Sequence, residues 1–255
     1  MQFIDTHTHL YLPEFDTDRD EVVRRAVGNG IAKMLLPNID TRSIGLMLSA
    51  VSRYPGICYP MAGLHPTSVK EDYISQLDKI ENLVTEQKII AIGEIGIDLY
   101  WDKTFLKEQL ISFRRQLEFA SVRRLPAVIH SRQAFPEVFE VLEEFKGSSL
   151  NGVFHAFSGS IKDAEKAIDL GFKLGIGGIL TFKNSGLDKV VSVTGPEHIV
   201  LETDSPYLAP APHRGTRNES SYICIINKKL SDIFGIKEED TASIVYSNAV
   251  NLFNL

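Results

Sequence analysis

The stretch IDTHTHL, residues 4–10, sets two histidines one residue apart directly after an apolar run. In an extended chain residues i and i+2 point to the same side, so His7 and His9 face one way with Asp5 beside them. A helix would splay them apart. A buried strand that ends in two imidazoles predicts a metal at its end, and the fold must then bring further ligands to the same place.

Short apolar or β-rich runs recur at about 2–7, 32–37, 57–62, 89–94, 126–131, 152–157, 172–178 and 198–203. Between them lie segments with apolar residues at three- and four-residue spacing, such as DRDEVVRRAVGNG and TFLKEQLISFRRQLEFASVRR. Two more helical stretches, 220–234 and 238–254, close the chain. Near-continuous apolar strands alternating with helices are the pattern of a parallel sheet covered by helices. Eight such units predict an α/β fold, a distorted (β/α)8 TIM barrel with extra C-terminal helices. A doubly wound open sheet is the competing architecture, but it brings a glycine-rich phosphate loop after an early strand. GFKLGIGG, residues 171–178, lacks that spacing, and its glycines suit close packing of a strand or approach of a ligand to the backbone.

The 255 residues contain no linker or low-complexity stretch, so residues 1–255 read as a single barrel domain. A net charge of −6 argues against a broad non-specific grip on nucleic acid, although it leaves room for a local basic cleft. Lys103, Arg132, Lys183, Arg214 and Arg217 gather near candidate loops. There is no basic leader and no run of 18 apolar residues, which predicts a soluble cytoplasmic protein away from membranes. Cys58 and Cys224 lie in separate apolar runs and read as small buried hydrophobes.

The polar residues that end the runs carry the chemistry. His7 and His9 close the first, His65 follows the third, Glu94 ends the fourth, His130 the fifth, His155 the sixth and Asp204 the eighth. In a parallel barrel these strand ends meet at the C-terminal mouth, where catalytic residues collect. Imidazoles mixed with Glu and Asp suit divalent ions such as Zn or Mn, and the set is large enough for two. Glu94, midway round the mouth, is best placed to bridge them. With no thiolate set and no G-x-S-x-G elbow, hydrolysis by activated water remains.

DTHTHL, GLHP, GEIGID, HSR, HAFSG and LETDSPYLAPAPHRGTRNES occur in order from residue 5 to about 222. Together they resemble the TatD family of metal-dependent deoxyribonucleases, a branch of the amidohydrolase-type barrels. The resemblance implies one ion held by His7, His9, Glu94 and Asp204 and a second held by Glu94, His130 and His155. It implies hydrolysis of DNA phosphodiesters from a 3′ end on single strands, with Mg²⁺ commonly the activator. An imidazole-rich set suits Mn²⁺ or Zn²⁺ at least as well. Three departures from the family pattern stand out: Ala156 for a common cysteine, Leu99 and Trp101 where a tyrosine pair and arginine are usual, and Ser220 for a proline. None removes a ligand.

The expected catalytic roles fall to Asp204, which orients or deprotonates water, to Glu94, and to His65, which stabilises charge on the phosphoryl group or leaving oxygen. Tyr100 and Trp101 in DLYWDK are candidates to stack an unpaired base. Arg214 and Arg217 are candidates to hold phosphate oxygens from the proline-rich loop that follows the eighth run. The expected partner is single-stranded DNA or another nucleic acid as substrate, with no obligate protein partner. Two alternatives stand beside this reading: an amidase or lactonase of the same barrel superfamily, whose relatives often bridge their metals with a carboxylated lysine, and a non-catalytic metal-binding protein.

Overall fold

The computed structural model describes residues 1–255. Its strands are β1 (Phe3–Asp5), β2 (Ile31–Pro37), β3 (Cys58–Met61), β4 (Ile92–Asp98), β5 (Ala127–Arg132), β6 (Gly152–Phe154), β7 (Phe172–Ile176) and β8 (Ile199–Leu201). The helices between them are α1 (Arg19–Gly28), α2 (Ile44–Arg53), α3 (Tyr73–Glu86), α4 (Leu106–Arg123), α5 (Phe135–Glu143), α6 (Ile161–Asp169) and α7 (Leu187–Thr194). Then α8 (Ile223–Phe234) and α9 (Glu238–Phe253) complete the chain.

All strand pairs are parallel, in two sheets ordered β1-β2-β3 and β4-β5-β6-β7-β8. Isolated parallel bridges, Ala62 to Ile92 and Thr8 to Ser205, stitch the two sheets at both seams. Thr6 N–H donates to Leu201 O at 3.0 Å and Asp204 N–H to His7 O at 2.9 Å, so the first and last strands meet beside the histidines. The architecture is the expected distorted barrel.

β1, β3, β6, β7 and β8 are shorter than their apolar runs, and β4 starts later and runs on to Asp98, so Glu94 lies within the strand rather than at its end. Past Asp5 the ladder to β2 stops, and the Asp5 carboxylate accepts hydrogen bonds from Thr203 N–H (3.0 Å), Thr203 O–H (2.6 Å) and His7 N–H (3.3 Å). Side-chain bonds thus replace sheet bonds where the chain must turn its imidazoles inward. His7 and His9 lie on this irregular extension rather than in the strand proper.

The barrel's two ends are built differently. At the N-terminal end Ile4, Leu35, Met61, Val128, Val153 and Val200 form an apolar cluster with Ala249 and Phe253 of α9. The last helix therefore seals the bottom of the barrel. At the other end, Gly96 of β4 faces His130 of β5, and a Cβ there would lie 2.0 Å from the His130 carbonyl oxygen. With φ +143°, this position is open to glycine and strained for any L side chain. That close approach presses Glu94 and Asp98 against the His130 ring.

Candidate metal centre

His7, His9, His65, Glu94, His130, His155 and Asp204 converge at the C-terminal mouth. His7 Nε2 lies 3.3 Å from His9 Nε2 and 3.3 Å from Glu94 Oε2. Asp204 Oδ1 is 3.6 Å from His9 Nε2 and 3.9 Å from the Nε2 atoms of His7 and His155. The second Glu94 oxygen, Oε1, is 2.7 Å from His130 Nδ1, 3.2 Å from His65 Nε2 and 3.5 Å from His155 Nε2. Glu94 thus offers one oxygen to each of two groups of nitrogens. Three donor clusters emerge: His7, His155 and Asp204; His7, His9 and Glu94; His65, Glu94 and His130.

These donors fit a cation. Ligand atoms about 2.1 Å from an ion lie roughly 3.0–3.5 Å from one another, and the spacings here, 2.7–4.0 Å, bracket that range. Two imidazole nitrogens face each other across 3.3 Å, and at most one neutral tautomer can satisfy that contact. Burial disfavours the Glu94 carboxylate, yet His65, His155 and His7 hold its pKa well below the usual range. His155 behaves reciprocally. Burial pulls its pKa down, but Glu202, Glu94 and Asp204 push it up to about 10. Two buried carboxylates that demand positive charge at their centre are what a divalent ion satisfies.

In His9 and His130 the partner of the outer nitrogen fixes which nitrogen faces the centre, whereas the buried Nδ1 of His7 has no hydrogen-bond partner. Tyr11 spends its hydroxyl proton on Pro37 O at 2.8 Å, so its oxygen accepts from His9 Nδ1–H at 3.1 Å. The lone pair of His9 is left on Nε2. Asp98, held ionised against burial by His130 and by the backbone of Trp101 and Tyr100, accepts from His130 Nε2–H at 2.9 Å and frees Nδ1. Glu202 Oε1 lies 3.0 Å from His155 Nδ1, although the N–H is poorly aligned with it. His65 has the opposite polarity. Its Nδ1 accepts the Thr67 backbone N–H at 3.1 Å, so the neutral ring carries its proton on Nε2, aimed at Glu94. His65 enters the cluster as a hydrogen-bond donor.

Asp204 sits at φ +55°, a left-handed conformation uncommon outside glycine and asparagine, held by its N–H to His7 O and by Tyr207 N–H to its own carbonyl at 2.9 Å. The turn aims its carboxylate at the histidines.

The cluster floors a cavity of about 710 Å³ whose rim includes Trp101, Arg132, Ser158 and Tyr207. A larger open groove of about 850 Å³, beside Arg25, Arg217 and Tyr222, holds no such cluster. The substrate residues expected from sequence divide. Trp101 lines the cavity; Tyr100 does not, and its ring lies under the Arg132 guanidinium at 4.0 Å. Arg214 and Arg217 also stay outside. Arg217 makes two bonds to Asp18, at 2.6 and 2.7 Å, and one to Glu14 O, while Arg214 covers the Phe182 ring at 4.3 Å. With its charge neutralised, Arg217 has no fork to offer a phosphate, and the proline-rich loop does not turn either side chain into the mouth.

Sequence reasoning missed Asp98, Glu202 and Tyr11. Asp98 had a legible signal: in GEIGID it falls on the same strand face as Glu94. Glu202 had a weaker one, in the ETD triplet. It fits because a Cβ on Gly175 would meet its Oε2 at 2.4 Å. Tyr11 had none.

A parallel barrel with imidazoles and carboxylates clustered at its C-terminal mouth is the architecture of a metal-dependent hydrolase built on a TIM barrel. The family model described as TatD related DNase matches residues 4–254, and the chain belongs to that family. It is 34% identical over 252 residues to the uncharacterized metal-dependent hydrolase YabD of Bacillus subtilis (strain 168), covering 98% of each chain. It is 28% identical over 257 residues to the 3′-5′ ssDNA/RNA exonuclease TatD of Erwinia billingiae (strain Eb661), covering 98% of each. The crystal structure of the TatD homologue YjjV from Escherichia coli K12 superposes with a TM-score of 0.93 at 28% identity, covering 99% of this chain and 98% of that one.

Proposed function

We propose that the protein hydrolyses nucleic-acid phosphodiesters, acting as a 3′-to-5′ exonuclease on single-stranded DNA with two divalent ions, Mg²⁺, Mn²⁺ or Zn²⁺. The observation that carries this reading is Glu94, whose two carboxylate oxygens face two separate groups of nitrogens at the floor of one open cavity. His7, His9, Glu94 and Asp204 would hold one ion, and Glu94, His130 and His155 the other. Bound there, the ions supply Lewis acidity and a water acidic enough to be a nucleophile at neutral pH.

The chain's own residues do the rest. Of the carboxylates in the cluster, Asp204 is the more open, its side chain 15% exposed against 4% for Glu94. It accepts the proton of the attacking water as the water oxygen bonds to phosphorus. The bond from phosphorus to the 3′-oxygen breaks, and Asp204 returns the proton to that oxygen. His65 keeps its Nε2 proton and donates a hydrogen bond to the charge that develops on the phosphoryl group or leaving oxygen. Asp98, Tyr11 and Glu202 hold His130, His9 and His155 in orientation. Trp101, exposed at the rim, stacks the terminal base.

The test is digestion of 3′- and 5′-labelled single and double strands in Mn²⁺, Mg²⁺ or Zn²⁺. Stepwise shortening of single strands from the 3′ end is expected. Intact strands under all three metals, or cutting that begins from the 5′ end, contradict the proposal.

A further inference from the structure

A polyanionic strand must approach a mouth whose floor carries Glu94, Asp98 and Asp204, and a fixed cation at the rim would help to receive it. Among all the residues lining the cavity, Arg132 is the sole lysine or arginine. It is also uncommitted. Arg217 is neutralised by Asp18 and Arg25 by Glu219, while Arg132 has aromatic neighbours in place of an ion-pair partner.

Its position is built from the strand upward. Arg132 follows His130 by two residues on β5, so it shares that face of the strand one step nearer the solvent. The register pairs it with Asp98, and Leu99 N–H donates to its carbonyl at 3.0 Å. Asp98 Oδ1 in turn accepts the N–H groups of Tyr100 (2.9 Å) and Trp101 (3.1 Å), fixing the loop that carries both rings. The two rings stand nearly perpendicular, centroids 4.9 Å apart. The guanidinium carbon lies 4.0 Å from the Tyr100 centroid and 5.2 Å from that of Trp101. Stacking on the rings restrains the arginine without discharging it, because a quadrupole leaves the N–H donors free for an anion.

We infer that Arg132 is the phosphate anchor of this site: seated on Tyr100, it takes the backbone phosphate next to the one that is cut, while Trp101 stacks a base of the same strand. This rests on the nucleic-acid reading above and sharpens it. It gives Tyr100 the task of holding Arg132, leaves base contact to Trp101, and moves anion binding from the loop after β8 to the end of β5.

Trp101 is the only tryptophan in the chain, so its emission reports on the rim alone. The experiment titrates the metal-loaded protein with a phosphorothioate-linked thymidine octamer, which keeps its charge and resists cutting, and with thymidine, which has no phosphate. The octamer is expected to quench Trp101 saturably, and thymidine to give no saturation over the same range. Arg132→Gln is expected to raise the octamer midpoint about tenfold or more and to flatten its salt dependence by about one phosphate contact. Hydrolysis of bis(p-nitrophenyl) phosphate, which has no second phosphate, is expected to lose less in Arg132→Gln than binding of the octamer does. An unchanged midpoint in Arg132→Gln, quenching by thymidine equal to that by the octamer, or an equal loss on the small diester overturns the anchor. Cutting of a natural, 3′-labelled octamer is followed in parallel. An octamer that binds through Arg132 and is never cut removes the exonuclease reading and leaves the anchor standing; one that is cut with the same KM by Arg132→Gln does the reverse.

Discussion

The two ends of this barrel are made from the same strands and obey opposite rules. At the bottom, Ile4, Leu35, Met61, Val128, Val153 and Val200 meet Phe253 of α9 with no polar partner to satisfy. At the mouth, the continuations of those strands bring together imidazoles and carboxylates whose nitrogen and oxygen atoms converge at 2.7–4.0 Å. The bottom is packed apolar surface, whereas the mouth gathers side chains that could hold a metal ion. The difference shows a fold that separates stability from chemistry by strand end.

Substitutions at the two ends should therefore fail in different ways. Asp204→Asn should lower turnover by about a thousandfold or more, since it removes the proton acceptor, while melting stays within a few degrees because asparagine tolerates the left-handed backbone at that position. Steady-state kinetics with a melting curve check it, and full activity would remove Asp204 from the mechanism. Phe253→Ala, 2% exposed, should cost about 3–5 kcal/mol of stability in a denaturant titration and leave KM and metal affinity of the folded protein unchanged. A changed KM would mean the two ends are coupled.

Two finer tests divide the mouth itself. His65→Ala should lower turnover by about a hundredfold, as loss of one donor to a developing charge does, yet keep the metal content of the wild type. His9→Ala, by contrast, should lose metal, and metal analysis of both variants separates a donor from a ligand. Arg217→Ala should change KM for single strands by less than about twofold and cost under about 1 kcal/mol, because its half-exposed pair with Asp18 lies outside the cavity. A large rise in KM would return phosphate binding to the loop after β8.

Much of this contrast is legible in the sequence. The eight apolar runs mark the strands, and the polar residues that end them mark the mouth, because period-two alternation and burial act locally on the chain. What escapes is the shell behind the ligands. Tyr11 orients His9 through a proton given to Pro37, a partner 26 residues away, and nothing in the local pattern encodes that distance. The charge state of the arginines escapes as well. Arg217 resembles a free phosphate ligand until Asp18, 199 residues distant, is folded against it, and Arg132 resembles a solvated surface residue until the rim closes round it. The role of α9 as the barrel's floor is likewise set by packing rather than by its own periodicity.

The central claim is that Glu94 joins two cation sites at the mouth. Metal content of the protein loaded with Mn²⁺ and freed of excess ion, measured for wild type and Glu94→Gln in parallel, tests it most directly. Two equivalents per chain in the wild type, falling to one or none in the variant with its fold intact, is the expected result; one equivalent or fewer in the wild type, or two retained without the carboxylate, contradicts it.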